Sequence, residues 1–496
     1  MITNNAINSM VIIGNGLTAW TVALAIAHRF KDNLKVTIVE LNNDSYELPW
    51  LLPQGVAFHS LLGIDERDLM RATDATFSLG TQYQGGSKLE HNFFMPYGSH
   101  GSSIDFVDFH HYYLKNQMQE NTNSDQCHEK YQDYSFSAKA ALKGKFIHPQ
   151  NRSQSLLSTL NYSINVDPTK YKQFIIERAR EGGVTSQIGI PNKVNVCNES
   201  ADILSITMNN DTVVEGDFFI DCSGHEAFLI EKAMNIGYQD WSQWLPYDKG
   251  VISKSEKDNS SPFTQIIANE ETFLRKTSTR TASFSEITFD SKNTRFEDVT
   301  LNNFDLKESH SFDIKAGQRV THWHKNCISF GKAVVDFPSL GISEIQVVQE
   351  SVMRFLELFP TKCNSELLAK EYNRLTELRM KNLRDFQIEL SILSHCPKPG
   401  PEILDLDDYP PSVQGDFELF KYYGKFPYKE EVIFKHSDLV CLFMGFNYIP
   451  KNYDCLLDKY NFSELKKQYE LMKESIEYTV EQLPSHDEYL KDGLDG

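Results

Sequence analysis

Gly14, Gly16 and Ala19 stand at the spacing Gly-x-Gly-x-x-Ala, and an acid, Glu40, follows about twenty residues further on. Side chains of these types at this spacing can hold a dinucleotide. Gly14 would allow a tight turn, Gly16 would let the backbone approach a pyrophosphate, and Ala19 would let a helix pack closely on a strand. Leu17, Thr18 and Ala19 would offer the phosphates the unpaired N–H groups and positive dipole end of a helix N-terminus. Glu40 stands where a ribose 2′-hydroxyl would find its acceptor. Positioning them takes a strand, a turn, a helix and a second strand. Residues 10–13 are apolar and run straight into the turn, residues 17–30 are apolar almost all round, and residues 35–40 form an apolar stretch ending in Glu40. An ordinary glycine turn in an α/β protein is the plainer alternative. It does not require the other pieces to fall in register.

Two later stretches bear on which dinucleotide this is. Residues 217–224 look like a buried strand ending in Gly224, and residues 326–331 a strand ending in Gly331. The second continues through a loop into an amphipathic helix over 345–358. A nicotinamide enzyme needs only the first fingerprint. A flavoprotein also uses a late strand ending in glycine near the nucleotide, and a strand–glycine–loop–helix whose helix N-terminus faces the flavin ring. FAD is therefore the expected cofactor, with Val194 and Gly224 near the nucleotide and Gly331, Gly341 and Ile342 near the ring.

Other constellations are weaker. His110 and His111 lie near Asp105 and Asp108, but adjacent histidines point to opposite sides of a strand or helix turn. A helix-surface role is expected for them, and no metal. The chain contains no GxSxG, HExxH or P-loop. Trp241-Ser242-Gln243-Trp244-Leu245-Pro246 reads as packing or a surface loop.

Composition limits the partners. Of 496 residues, 49 are basic and 68 acidic, for a formal charge of −19. A nucleic acid or an anionic membrane surface would need a basic face. The eight cysteines (127, 197, 222, 327, 363, 396, 441 and 455) are scattered without a CxxC, as expected of reduced thiols in a cytoplasm. Nothing basic precedes Val11, so no secretory signal is expected, and the longest apolar run, 19–27, is too short to cross a bilayer. Residues 84–104 and 119–155 have loop composition and 211–216 turn composition. A helix is expected over 168–182 and an antiparallel sheet over 250–320, and the last 130 residues read as mostly helical. The expected organisation is an FAD-binding module over 1–360 with interleaved substrate-facing segments, and a helical region over 361–496.

Six further pieces carry a family resemblance. Trp20 follows the glycine turn. Leu62-Gly63-Ile64 leads to Met70-Arg71 and Asp74-Ala75-Thr76-Phe77, and the 217–224 strand is followed by Leu229-Ile230-Glu231-Lys232-Ala233. Trp323-His324-Lys325-Asn326-Cys327, Leu383-Arg384-Asp385-Phe386, and Pro450 with Tyr453-Asp454 complete the set. Nearly end to end, the chain resembles the flavin-dependent tryptophan halogenases. The resemblance implies an α/β fold with a doubly wound FAD-binding domain of the flavoprotein-hydroxylase type, an interleaved antiparallel sheet and a mostly helical C-terminal substrate lobe. It implies that a separate flavin reductase delivers reduced FAD, which reacts with O₂ so that halide is oxidised to hypohalous acid. A lysine then presents the halogen to an electron-rich ring such as indole. It also allows a homodimer.

The chain departs from that family at three places. Five residues beyond Phe77, where the family lysine is expected, stands Gln82, which carries no charge; nearby Lys88 reads as a solvated loop residue. The halide loop is represented by Pro338-Ser339-Leu340-Gly341-Ile342, two residues shorter. The aromatic wall aligns with Phe273-Leu274-Arg275-Lys276-Thr277-Ser278, which keeps one aromatic. Met95 and Tyr97 replace the usual His and Phe, and with Gln82 they are expected to face the substrate. The expected function is that of an FAD-dependent oxidoreductase using reduced FAD and O₂ on a small aromatic substrate, with no catalytic residue assigned. Flavin-dependent hydroxylation and non-catalytic flavin binding are the alternatives.

Overall fold

The computed structural model describes residues 5–41, 48–85, 91–120, 130–150, 155–257, 261–269, 272–296, 309–362, 365–395 and 405–495. The chain forms two compact units, each drawn from three segments. The first comprises Met1–Ala75, Val166–Ile252 and His310–Lys381, and the second Thr76–Asn165, Ser253–Ser309 and Asn382–Gly496.

In the first unit, Ser9–Ile13 lies between Lys35–Glu40 and Phe218–Asp221 in a six-stranded sheet. These strands and Cys327–Ser329 run parallel, with Ile13 level with Val39 and Asp221, and Asp221 level with Ser329. The carboxyl ends of four strands thus stand side by side, where open α/β sheets bind their ligands. The adjoining helix Leu17–Phe30 is buried from Leu17 through Ala27 and packs on helices Pro168–Glu181 and Glu344–Glu357, which is why its sequence is apolar all round. Asp221 is fully buried and holds the chain after its strand, accepting from the N–H groups of Ser223, Leu229 and Ile230.

In the second unit, the strands Ala282–Phe289, Thr272–Ser278, Thr264–Ala268, Gly80–Gly85 and His91–Pro96 are hydrogen-bonded in that order. Only the pairing of Thr264–Ala268 with Gly80–Gly85 is parallel. Towards the C-terminus the chain is helical over Glu366–His395, Pro411–Tyr423, His436–Gly445, Phe462–Glu481 and His486–Asp495.

The fold class is the expected one: a doubly wound α/β arrangement with an interleaved, largely antiparallel sheet and a helical C-terminal region. Three local expectations fail, one of them the loop composition over 119–155, which contains the helix Phe136–Leu142. The loop composition over 84–104 hides the strand His91–Pro96, because polar neighbours mask its short apolar centre, Phe93–Met95. The turn over 211–216 contains the short strand Val213–Glu215. Among the described residues no helix is long and apolar enough to cross a membrane.

Candidate functional site

The site in the first unit begins with a backbone conformation. Gly14 adopts φ +144°, and a Cβ there would lie 2.3 Å from the carbonyl oxygen of Cys222. Only glycine lets the first strand turn this close to the end of its neighbour. The Gly14 N–H reaches the Val39 carbonyl at 3.0 Å, and Asn15 donates its side-chain amide to the Leu41 carbonyl, which fixes the turn between the strands. Gly16 is the N-cap of helix Leu17–Phe30 and has no side chain with which to cap that end. The helix therefore presents N–H donors and the positive end of its dipole.

A cavity of about 560 Å³ opens at this point, walled by Gly16, Leu17 and Thr18 from the turn, Ser223 and Gly224 from beyond the neighbouring strand, and Glu344. Gly16, Leu17, Thr18 and Gly224 thus line one cavity. Ala19 is fully buried at the helix–sheet contact. Glu40 is half-buried at its strand end. Val194 packs on a core cluster that includes Val11 and Ile13. Gly331 takes φ +63° and Gly341 φ +103°, while Ile342 is fully buried just before helix Glu344–Glu357.

Sequence reasoning missed the residues that close this site. Glu344 Oε1 accepts from the Thr18 hydroxyl and from the Lys332 N–H, each at 3.1 Å. A Cβ on Gly331 would lie 2.3 Å from the same oxygen. His225 Nε2 lies 2.6 Å from Asp336 Oδ2. Asp336 is buried, which favours its neutral form, but the hydrogen bond from His225 and the charge of Lys332 outweigh this and hold its carboxyl below the usual range.

The expected substrate residues lie in the second unit. Gln82 is half-buried, and both ends of its amide are engaged: Nε2 donates to Asn92 Oδ1 at 3.0 Å, and Oε1 accepts from Gln265 Nε2 at 2.9 Å. Met95 pairs with Thr81, so the strand pleat turns Met95 to the face opposite Gln82. Tyr97 is half-buried just beyond the strand, its N–H bonded to the Leu79 carbonyl. Lys88 lies outside the described residues.

Met95 shares its face with Thr81, Tyr83, Thr264, Arg275, Glu286 and Thr288, as the register requires, and all are buried. Arg275 and Glu286 form an ion pair there. The hydroxyls of Thr81, Tyr83, Thr264 and Thr288 have no hydrogen-bond partner among the described residues. Burial raises the Tyr83 hydroxyl far above its ordinary pKa. Arg275, which directly follows the apolar pair Phe273-Leu274 in strand Thr272–Ser278, was the available signal for this polar face.

His110 and His111 are not on a helix surface, as expected from sequence, but buried at the start of helix Phe109–Glu120. The region around Gly424 covers them: His110 Nε2 lies 2.7 Å from the Gly424 carbonyl, and Gly424 packs on the His111 ring. Burial lowers their pKa values to about 4 and about 3. Folding also brings His436 to His110 and Asp108, with possible ligand atoms within 4.8 Å of one another.

Comparison with known proteins agrees with this geometry. A family model described as tryptophan halogenase matches residues 9–461. Tryptophan 6-halogenase ThaL of Streptomyces albogriseolus is 22% identical over 90% of this chain and 91% of its own. Among solved structures, the flavin-dependent halogenase BrvH from Brevundimonas sp. BAL3 superposes with a TM-score of 0.89 at 26% identity, covering 99% of both chains. Xcc4156, a flavin-dependent halogenase from Xanthomonas campestris, does so with a TM-score of 0.88 at 25% identity, covering 98% of both.

Proposed function

Because the chain belongs to the tryptophan halogenase family, we propose that it is an FAD-dependent oxidoreductase that uses reduced FAD and O₂ on a small aromatic substrate. The observation that carries the cofactor reading is the cradle at Gly14–Thr18. A Cβ at Gly14 could not be accommodated, the helix end has no side-chain cap, and the cavity opens at the ends of the parallel strands. These features fit a pyrophosphate. Gly16, Leu17 and Thr18 would hold the phosphates, Glu40 the ribose, and Gly224 the nucleotide half. The segments around Gly331, Gly341 and Ile342 would approach the ring. Bound FAD supplies the activation of O₂ by a reduced flavin, and a separate reductase would supply the reducing equivalents.

On the substrate side, Gln82 is a neutral amide held by Asn92 and Gln265. Such a group can orient a polar substituent but cannot carry a covalently bound, positively polarised halogen as an amine does. That favours a second reading, transfer of oxygen to the aromatic ring, alongside halogenation. Purified protein supplied with FAD, a flavin reductase, NADH, O₂ and bromide should be offered indoles and phenols and the products weighed. A bromine isotope doublet marks halogenation, and the added mass of one oxygen atom marks hydroxylation. Absence of both, together with no FAD binding, would leave the enzyme reading without support.

A further inference from the structure

One acidic side chain of the cavity, Glu344, stands at the helix end expected to receive phosphate. Glu344 heads helix Glu344–Glu357, yet its Oε1 is hydrogen-bonded to Thr18, the second residue of helix Leu17–Phe30. The Lys332 N–H holds the same oxygen from another side. The chain leaves room for it at Gly331, whose left-handed conformation and missing Cβ clear the space that Oε1 occupies. Other charged groups share the wall. Lys172 and His310 line the cavity, His225 is engaged with Asp336, Asp313 pairs with Lys249, and Lys332 Nζ lies 4.8 Å from the centre of the Phe312 ring.

We propose that Glu344 is a fixed counter-charge at the pyrophosphate end of the cavity, and that it limits affinity for the dinucleotide so that FAD is exchanged as a reactant. The inference rests on the FAD reading above. A carboxylate at a helix N-terminus offsets the positive dipole end that attracts phosphate. In a partly enclosed cavity its repulsion of a pyrophosphate is weakly screened. A protein that takes reduced FAD from a separate reductase must also release the spent form, and a built-in repulsion favours that release.

Glu344→Gln isolates the charge, because the amide oxygen can still accept from Thr18 and Lys332. Wild type and E344Q should be titrated with FAD, with ADP, which carries the pyrophosphate without the flavin, and with riboflavin, which carries the flavin without phosphate. The expected result is that E344Q binds FAD and ADP about tenfold more tightly while riboflavin is unchanged. Glu344→Leu, which also removes the hydrogen bonds, should shift FAD and ADP in the same direction if the first variant folds poorly. FAD and ADP binding no tighter than in wild type overturns the proposal, as does an equal gain for riboflavin. If neither protein binds any of the three, the FAD reading fails and the proposal fails with it.

Discussion

A methyl group at Gly14 would meet the Cys222 carbonyl at 2.3 Å, in a backbone conformation that side-chain-bearing residues rarely adopt. Gly14→Ala is therefore expected to cost about 3 kcal/mol or more and to abolish FAD binding. Chemical denaturation and a flavin titration check the two effects separately. Gly14 and Gly16 were legible in the sequence because their task is local: a turn between a strand and the helix that follows. Glu344 was not, since its partner Thr18 lies 326 residues away in the chain. The same limit hid the polar environment of Glu389 and Asp416, whose side chains are fully buried beside Lys429. Burial and the nearby Asp416 push the Glu389 carboxyl well above its ordinary pKa. Lys429→Met would leave two buried carboxyl groups without their cation, and should cost about 3–5 kcal/mol at neutral pH. The loss should shrink as Glu389 takes up its proton in acid, and urea unfolding at pH 7 and pH 5 would show it.

Between elements, one polar chain ties three helices of the first unit. His59 of helix Pro53–Leu61 lies 2.7 Å from the Tyr171 hydroxyl of helix Pro168–Glu181, which also receives the Gln349 amide of helix Glu344–Glu357 at 3.1 Å. Burial lowers the His59 pKa to about 4 and that of His322 to about 3. Both are neutral in the fold while the unfolded chain takes up their protons below about 6.5. Their contribution is complete above that pH and is lost as pH falls through the window down to their folded values. Each can contribute a slope of up to about 1.4 kcal/mol per pH unit. Unfolding free energy measured from pH 7.5 to 4.5 should fall accordingly, and His59→Gln should flatten the slope by about one proton. The helix Leu17–Phe30 and its flanking strands could be read from their apolar runs, because burial on every side leaves a continuous apolar record. The strand His91–Pro96 could not. Its hydrogen bonds run to Gly80–Gly85 and carry no local signature.

At the scale of the molecule, neither unit is contiguous in sequence. The C-terminal helices of the second unit belong with strands Gly80–Gly85, His91–Pro96 and Thr264–Ala268, contributed much earlier in the chain. Residues 382–496 produced alone should therefore show helical circular dichroism without a cooperative melt. A sharp two-state transition in that fragment would contradict this. Pattern reading could identify many of the helices and strands but not the partition, because each return of the chain to a unit is a tertiary event with no compositional boundary. The repeated return also imposes an order of events on the ribosome. The first unit can close once its last segment, ending at Lys381, has emerged. The second must hold two earlier segments open until residues 382–496 have followed. Its sheet, whose strands have all emerged while its covering C-terminal helices have not, is then the stretch of nascent chain most in need of a chaperone, and slowing elongation over residues 382–496 should matter more to the yield of native protein than slowing it earlier.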